Sequence, residues 1–215
     1  MRAMISFRFP VSRLRILLLS FYRRPAETVA CDLLGRYLVR ELDSERLVLR
    51  LVETEAYLGG PDRASHAWGG RRTVRNESLY LPGGHAYVYL IYGMHYCLNA
   101  VTGEADEGGA VLLRAGEPVE GEERMRENRG WAREPRPGDL AGGPGKICQA
   151  LAIGRDLDGV PLDRPPLYIT RGEPVAEQEI VASPRIGVDY AGEAAQWPLR
   201  FSVRGHRHVS RPRPG

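Results

Sequence analysis

Apolar positions along the chain change period several times, and each change marks an element. After Pro25, the residues Val29, Ala30, Leu33 and Leu34 recur at helical spacing and Gly35 closes the run, which predicts a helix over 25–35. The period then falls to two. Segments 36–41 and 46–57 read as strands, the second through Leu47, Leu49, Leu51 and Glu53. A Gly/Arg-rich stretch over 59–84 reads as a loop. Residues 85–101 are dense in Tyr, Val, Ile and Leu with one break at Tyr92-Gly93, the pattern of a hairpin with glycine at its tip. Beyond it the pattern predicts a strand near 109–115, a charged helix over 118–129 and a Pro/Gly-rich loop over 130–145. Gly143-Pro144-Gly145-Lys146 then opens an apolar helix to Ile153, and short strands follow near 166–171, 185–189 and 199–204. Strands outnumber helices and follow one another directly. The predicted class is therefore α+β, one domain on a curved antiparallel β-sheet with a protruding β-hairpin and flanking helices.

A length of 215 residues suits a single domain. The reading bounds it at 20–205, between a basic N-terminal segment (1–19) that need not be ordered and a basic tail (206–215). The net charge of +3 conceals its own distribution: residues 1–24 carry six Arg and 199–215 carry five, neither with an acid, so the stretch between is net −8. Basic ends on an acidic body allow local binding of a polyanion, although solvated tails read the same way. Cys31, Cys97 and Cys148 are odd in number and far apart, which fits a reducing compartment better than a disulfide framework. Arg23 and Arg24 interrupt the short apolar run Ile16–Leu19, and no stretch approaches the ~20 apolar residues of a membrane span. A cytoplasmic protein without membrane contact is expected, nucleoid-associated in a bacterial cell.

Three constellations carry candidate chemistry. In Val52-Glu53-Thr54-Glu55-Ala56-Tyr57, strand alternation sets both carboxylates and the ring on one face. That face is either an exposed charged surface or a general base beside a stacking ring. In the hairpin, Tyr87 and Tyr89 share one face and Val88 and Leu90 the other, while Tyr92 falls at the turn. A bulky ring on a narrow tip can enter a duplex and fill the gap left by a displaced nucleotide; tyrosines are also ordinary strand formers, and Tyr87 and Tyr96 read as core. The loop supplies His66 and then Gly69-Gly70-Arg71-Arg72-Thr73-Val74-Arg75-Asn76, residue types that contact phosphate. The histidines and cysteines make no convincing metal set. A non-catalytic lesion sensor would keep Tyr92 and the arginines without needing Glu55 beside Tyr57. A sugar hydrolase using Glu53 and Glu55 would need two residues of one strand to flank a sugar ring, and would leave the hairpin tip without a role.

Taken together, these motifs resemble the alkyladenine (3-methyladenine) DNA glycosylase family. The likeness runs from Phe21-Tyr22 and Arg24-Pro25 through Leu33-Leu34-Gly35, VETEAYLGGPDRASHAWGG, RRTVRN, HAYVYLIYGMHYCLN, AVLLRAGEP and GPGKICQAL toward Arg204. It departs at Glu77-Ser78-Leu79-Tyr80 and before Phe21. The resemblance implies a monofunctional enzyme of base-excision repair that needs no cofactor or metal. Such an enzyme flips alkylated purines (3-methyladenine-like, with hypoxanthine or etheno-adenine as further candidates) from duplex DNA and hydrolyses the N-glycosidic bond as a monomer. By position it implies Glu55 as the general base and Arg114 beside the attacking water and a phosphate. Tyr57, His66, Tyr89 and Asn99 line the base pocket, with Asn99 placed to discriminate against a guanine amino group, and Tyr92 intercalates. Arg71 and Arg75 would meet the DNA backbone. Lys146, the sole lysine, would do so at the start of its helix, a simpler use than a Schiff base.

Overall fold

The computed structural model describes residues 15–213, so residues 1–14 of the basic N-terminal segment and the last two residues lie outside the described residues. The strands are β1 (Tyr37–Leu42), β2 (Glu45–Tyr57), β3 (Ala86–Ile91), β4 (His95–Thr102), β5 (Gly109–Glu120), β6 (Asp163–Arg164), β7 (Leu167–Thr170), β8 (Ile180–Ser183) and β9 (Arg200–Val203). They form one nine-stranded sheet in the order β3-β4-β5-β2-β1-β7-β6, with β9 added to the far half of β2 and β8 to β9. Every pairing is antiparallel. The α+β class expected from the pattern is the observed one. Among the described residues three short α-helices accompany the sheet: α1 (Ala26–Leu33), α2 (Glu122–Asn128) and α3 (Pro144–Ala150).

The core lies between one face of the sheet and helices α1 and α3. Val29, Ala30 and Leu33 of α1 and Ile147, Cys148 and Ala150 of α3 pack with Ala56, Val88, Leu98, Val111 and Leu113. Each such side chain, buried fully, contributes roughly 1.5–3 kcal/mol for the larger types. Because side chains alternate across a sheet, filling this face with apolar residues commits their neighbours to the other. Direct pairing of Glu55 with Leu112, Leu112 with Asn99 and Asn99 with Tyr87 then lays one row across four strands, and Tyr89 opposite Cys97 begins the next. The core therefore dictates which side chains floor the opposite face.

Strand β2 does not keep its alternation throughout. Leu47, Leu49 and Leu51 belong to the helix-covered core, and regular spacing would turn Glu53 and Glu55 toward it as well. Instead the register with β5 shifts between Leu51 and Glu53 and again between Glu53 and Thr54. After these bulges the even positions face the helices: Thr54 donates to the Ala30 carbonyl of α1 at 2.9 Å and Ala56 joins the core. Glu55 and Tyr57 are thereby freed for the other face. Arg114 is the matching irregularity on β5, lying between Leu113, which pairs with Thr54, and Ala115, which pairs with Glu53. Bulges next to active sites re-aim side chains in this way.

The chain departs from the sequence pattern in four places. The helix expected over 118–129 begins only at Glu122, because Pro118 and Glu120 still pair with Leu49 and Val48 and Gly121, at φ 77°, turns the chain. No strand forms over 185–189; the strand lies at Ile180–Ser183 and the following residues loop toward Glu55. The domain starts before residue 20, since Ile16 bridges Thr170 and the buried Leu17 donates to the Ile169 carbonyl at 2.8 Å. Nor does a free tail start at His206: His208, Val209 and Ser210 are buried against the sheet.

Candidate active site

The floor of side chains opposite the helices opens as a cavity of about 440 Å³. Tyr57, Tyr89, Asn99 and Arg114 contribute from four strands, His66 from the loop after β2 and Tyr92 from the hairpin tip. Each residue that the resemblance assigned to the base pocket thus lines one cavity. Glu55, itself without exposed surface, lies directly beneath the floor. Its Oε2 accepts from the Tyr57 hydroxyl at 3.0 Å and from Arg114 at 3.3 Å, and its Oε1 accepts from the Ile186 amide at 2.9 Å. An ionised carboxylate offers about four acceptor positions, so one remains for a further partner. Burial, and then the neighbouring Glu55 carboxylate, raise the Tyr57 pKa well above its ordinary value, which keeps the phenol protonated and donating.

The second carboxylate of the strand has a different occupation. Glu53 Oε1 accepts from Arg114 Nε at 3.1 Å, Arg200 Nε at 2.7 Å and the Ser210 hydroxyl at 2.9 Å, while Oε2 accepts the Ser210 amide at 2.7 Å. It is fully buried and receives four donors, three on Oε1 and one on Oε2. Glu53 is thus an anchor for two arginines, one of which reaches on to Glu55. A second buried pair, Arg185 with Asp62, is bidentate at 2.5 and 2.8 Å, and the Arg185 guanidinium lies 4.7 Å from the Tyr57 ring centroid. Arg185 also donates to the Ala56 and Ala194 carbonyls, which fixes the loop that presents the Ile186 amide. Sequence reasoning named none of Arg200, Ser210, Asp62 or Arg185. Arg185, Arg200 and Ser210 stand far from Glu55 in sequence, and neither they nor the nearer Asp62 carry a sequence sign that they are buried.

The aromatic wall is held by its own contacts. The Tyr87 hydroxyl and His66 Nδ1 are 2.8 Å apart, and the His66 ring meets Tyr89 edge to face with centroids 4.6 Å apart. Burial lowers the His66 pKa below its usual value and the adjacent Arg75 and Arg71 add to the effect, which favours the neutral imidazole. Tyr87, read from the sequence as core, is buried yet also lines the cavity. Asn99 donates to the Tyr87 carbonyl at 3.1 Å, which fixes the face its amide turns to the cavity.

At the hairpin tip Tyr92 and Gly93 both take positive φ, 50° and 70°, and Met94 donates back to the Ile91 carbonyl at 3.1 Å. This is the primed turn that matches strand twist. It holds a bulky residue in the left-handed region at a cost of roughly 1 kcal/mol. The Tyr92 side chain is 87 % exposed, with Met94 exposed beside it. In the arginine loop, Asn76 is buried and donates to the His66 and Arg71 carbonyls at 3.0 and 2.9 Å, and Tyr80 donates to the latter at 2.7 Å. Arg71 and Arg75 are exposed; Arg75 donates to the Leu90 carbonyl at 2.7 Å. Lys146 does not line the cavity. Its amino group donates to the Gly138 carbonyl at 3.2 Å, two residues beyond Pro144 of the cavity wall, in a helix of only seven residues.

The chain is similar to known proteins over most of its length. The family model described as methylpurine-DNA glycosylase (MPG) matches residues 20–207. A protein of Methanocella arvoryzae, provisionally named a 3-methyladenine DNA glycosylase, is 51 % identical over 196 residues, which is 91 % of this chain and 96 % of its own. Bearers of the same provisional name in Myxococcus xanthus and Desulfitobacterium hafniense are 48 and 43 % identical, covering 91 and 88 % of this chain and 94 and 96 % of theirs. The family match over 20–207 spans the positions of the cavity lining, Glu55 and the hairpin tip. The chain belongs to the methylpurine-DNA glycosylase family, hydrolases that act on the N-glycosyl bonds of DNA.

Proposed function

We propose that the protein flips an alkylated purine nucleotide out of duplex DNA into this cavity and hydrolyses its N-glycosidic bond with a water activated by Glu55. The observation that carries the reading is the carboxylate seated under an aromatic cavity, with three donors among the described residues where about four can be accepted. A water there would give its proton to Glu55 as its oxygen bonds to C1′. The electron pair of the breaking C1′–N bond passes to the base, so a cationic alkylated purine leaves neutral and an abasic sugar remains. The negative charge of Glu55 also favours the positive charge that develops on the sugar, and Arg114 bridges this carboxylate to the DNA side of the cavity.

Tyr57, Tyr89 and His66 would hold the flipped base, and ring faces attract a cationic purine by about 0.5–2 kcal/mol per contact. Asn99 would oppose a guanine amino group, and Arg71, Arg75 and Lys146 would meet phosphates along the strand. Tyr92 would enter the duplex and offset an unstacking cost of a few kcal/mol. That role accounts for a bulky ring kept at a strained tip. Tyr92→Asn, which tolerates the left-handed region, is expected to raise the unfolding free energy by roughly 1 kcal/mol while weakening lesion-duplex binding tenfold or more. Thermal unfolding and titration of one sample check both, and unchanged binding would remove the intercalating role.

The reading as a whole is tested on a duplex carrying one alkylated adenine. Incubation followed by alkali should cut the strand at the lesion, and borohydride should trap no covalent adduct, since Lys146 does not line the cavity and the sequence holds no other lysine. Absence of alkali-labile sites would sink the proposal. A trapped adduct lost in Lys146→Ala would replace hydrolysis by a lyase route.

A further inference from the structure

A second cavity of about 450 Å³ adjoins the first, sharing Ser65, His66, Arg75, Tyr87 and Tyr190 as a common wall. Its remaining lining is unlike that of a lesion pocket. Arg63, Arg71 and Arg75 all face it and no acidic side chain does. None of the three stands in an ion pair among the described residues, whereas neighbouring Arg72 is neutralised by Glu77 and Asp106. Three uncompensated guanidinium groups around one hollow make an anion site. Beside them Trp68 is 51 % exposed, and the Arg63 guanidinium lies 5.3 Å from its ring centroid. An exposed indole next to a cationic groove is a platform on which a base can stack. The loop that carries these groups is set in advance by Asn76 and Tyr80, which hold the His66 and Arg71 carbonyls.

The geometry points to this cavity as the site of a second nucleotide of the damaged strand, the immediate neighbour of the flipped one. Its phosphate lies among Arg63, Arg71 and Arg75, and its base stacks on Trp68. The inference rests on the repair reading above and extends it from one nucleotide to two. A neutral alkyl substituent of a large lesion would gain nothing from three arginines. A free phosphate would not use the indole. A nucleotide uses both.

The test uses the full chain and duplexes with a single abasic-site analogue, so that binding is read without catalysis. Wild-type protein should bind such a duplex more tightly than an undamaged one. Trp68→Ala should weaken that binding about tenfold, with Trp68→Phe restoring most of it, and thermal unfolding of both should match wild type. Arg63→Ala should lower the slope of log affinity against log salt by about one, while Arg72→Ala should leave the slope unchanged. In duplexes where the nucleotide on one or the other side of the lesion also lacks its base, one placement should cost the wild type as much as Trp68→Ala. The Trp68→Ala protein should not feel that loss. If wild type does not prefer abasic duplex, the repair reading fails. If it does, yet Trp68→Ala binds equally well or the two losses add in full, the second-nucleotide site alone is overturned.

Discussion

Replacing Glu55 by Gln should leave a folded protein that binds lesion-containing duplex within a few-fold of wild type and excises the base 10²–10⁴ times more slowly. At the middle of that range the loss is about 4 kcal/mol of transition-state stabilisation. The expectation follows from what each atom does. The Gln oxygen can still accept from the Ile186 amide, and Tyr57 can reverse its hydroxyl toward the new amide group, so shape and two of the three hydrogen bonds survive while the Arg114 bond is lost. The negative charge does not. Without it no group beneath the cavity accepts the proton of a water aimed at C1′, and nothing opposes the positive charge of the separating sugar. Arg114 keeps its bond to Glu53, which limits the damage to stability. Single-turnover excision on saturating enzyme separates the chemical step from binding. Near-normal excision by Glu55→Gln would remove the residue from catalysis altogether.

The parts of this site that could be read in advance are those that repeat locally. Alternation of Tyr87 and Tyr89 against Val88 and Leu90 needed only the strand period, and the structure puts the two rings on the cavity side with Val88 in the core. Tyr92-Gly93 announced a turn through glycine chemistry, and the turn is there at positive φ. Strand β2 shows where that logic stops. Period two through Leu47, Leu49, Leu51, Glu53 and Glu55 would place leucines and carboxylates on one face, and no regular strand resolves that conflict. The chain resolves it with bulges, whose position depends on the partner strand and is therefore invisible in β2 alone. The same limit hid the partners of the carboxylates. Arg200 and Ser210 reach Glu53 from 147 and 157 residues away, and the Ile186 amide reaches Glu55 across 131. A backbone N–H has no residue-type signature, and a buried arginine looks in sequence like the many exposed ones.

Those distant partners give Glu53 the second large expected effect, on stability more than on chemistry. Glu53→Gln should lower the unfolding free energy by about 3 kcal/mol, the lower range for breaking a buried ion pair by removing one partner. In a domain of this size that corresponds to roughly 6–12 °C in Tm. The cost arises because Arg114 and Arg200 remain buried after their shared counter-charge is gone. Arg114 retains Glu55 at 3.3 Å, whereas Arg200 is left with the carbonyls of Ser210 and Pro212. The C-terminal segment should loosen in consequence, since the Ser210 amide and hydroxyl both end on Glu53. Below its Tm the variant should show a fall in kcat larger than any rise in KM, because Arg114 is positioned by Glu53 and reaches the cavity from there. Coupling makes the prediction sharp: adding Arg200→Gln to Glu53→Gln should cost much less than the two single losses combined, as the second change removes a charge the first had orphaned. Thermal unfolding of the three variants decides it, and simple additivity would mean that Glu53 and Arg200 are stabilised independently of each other.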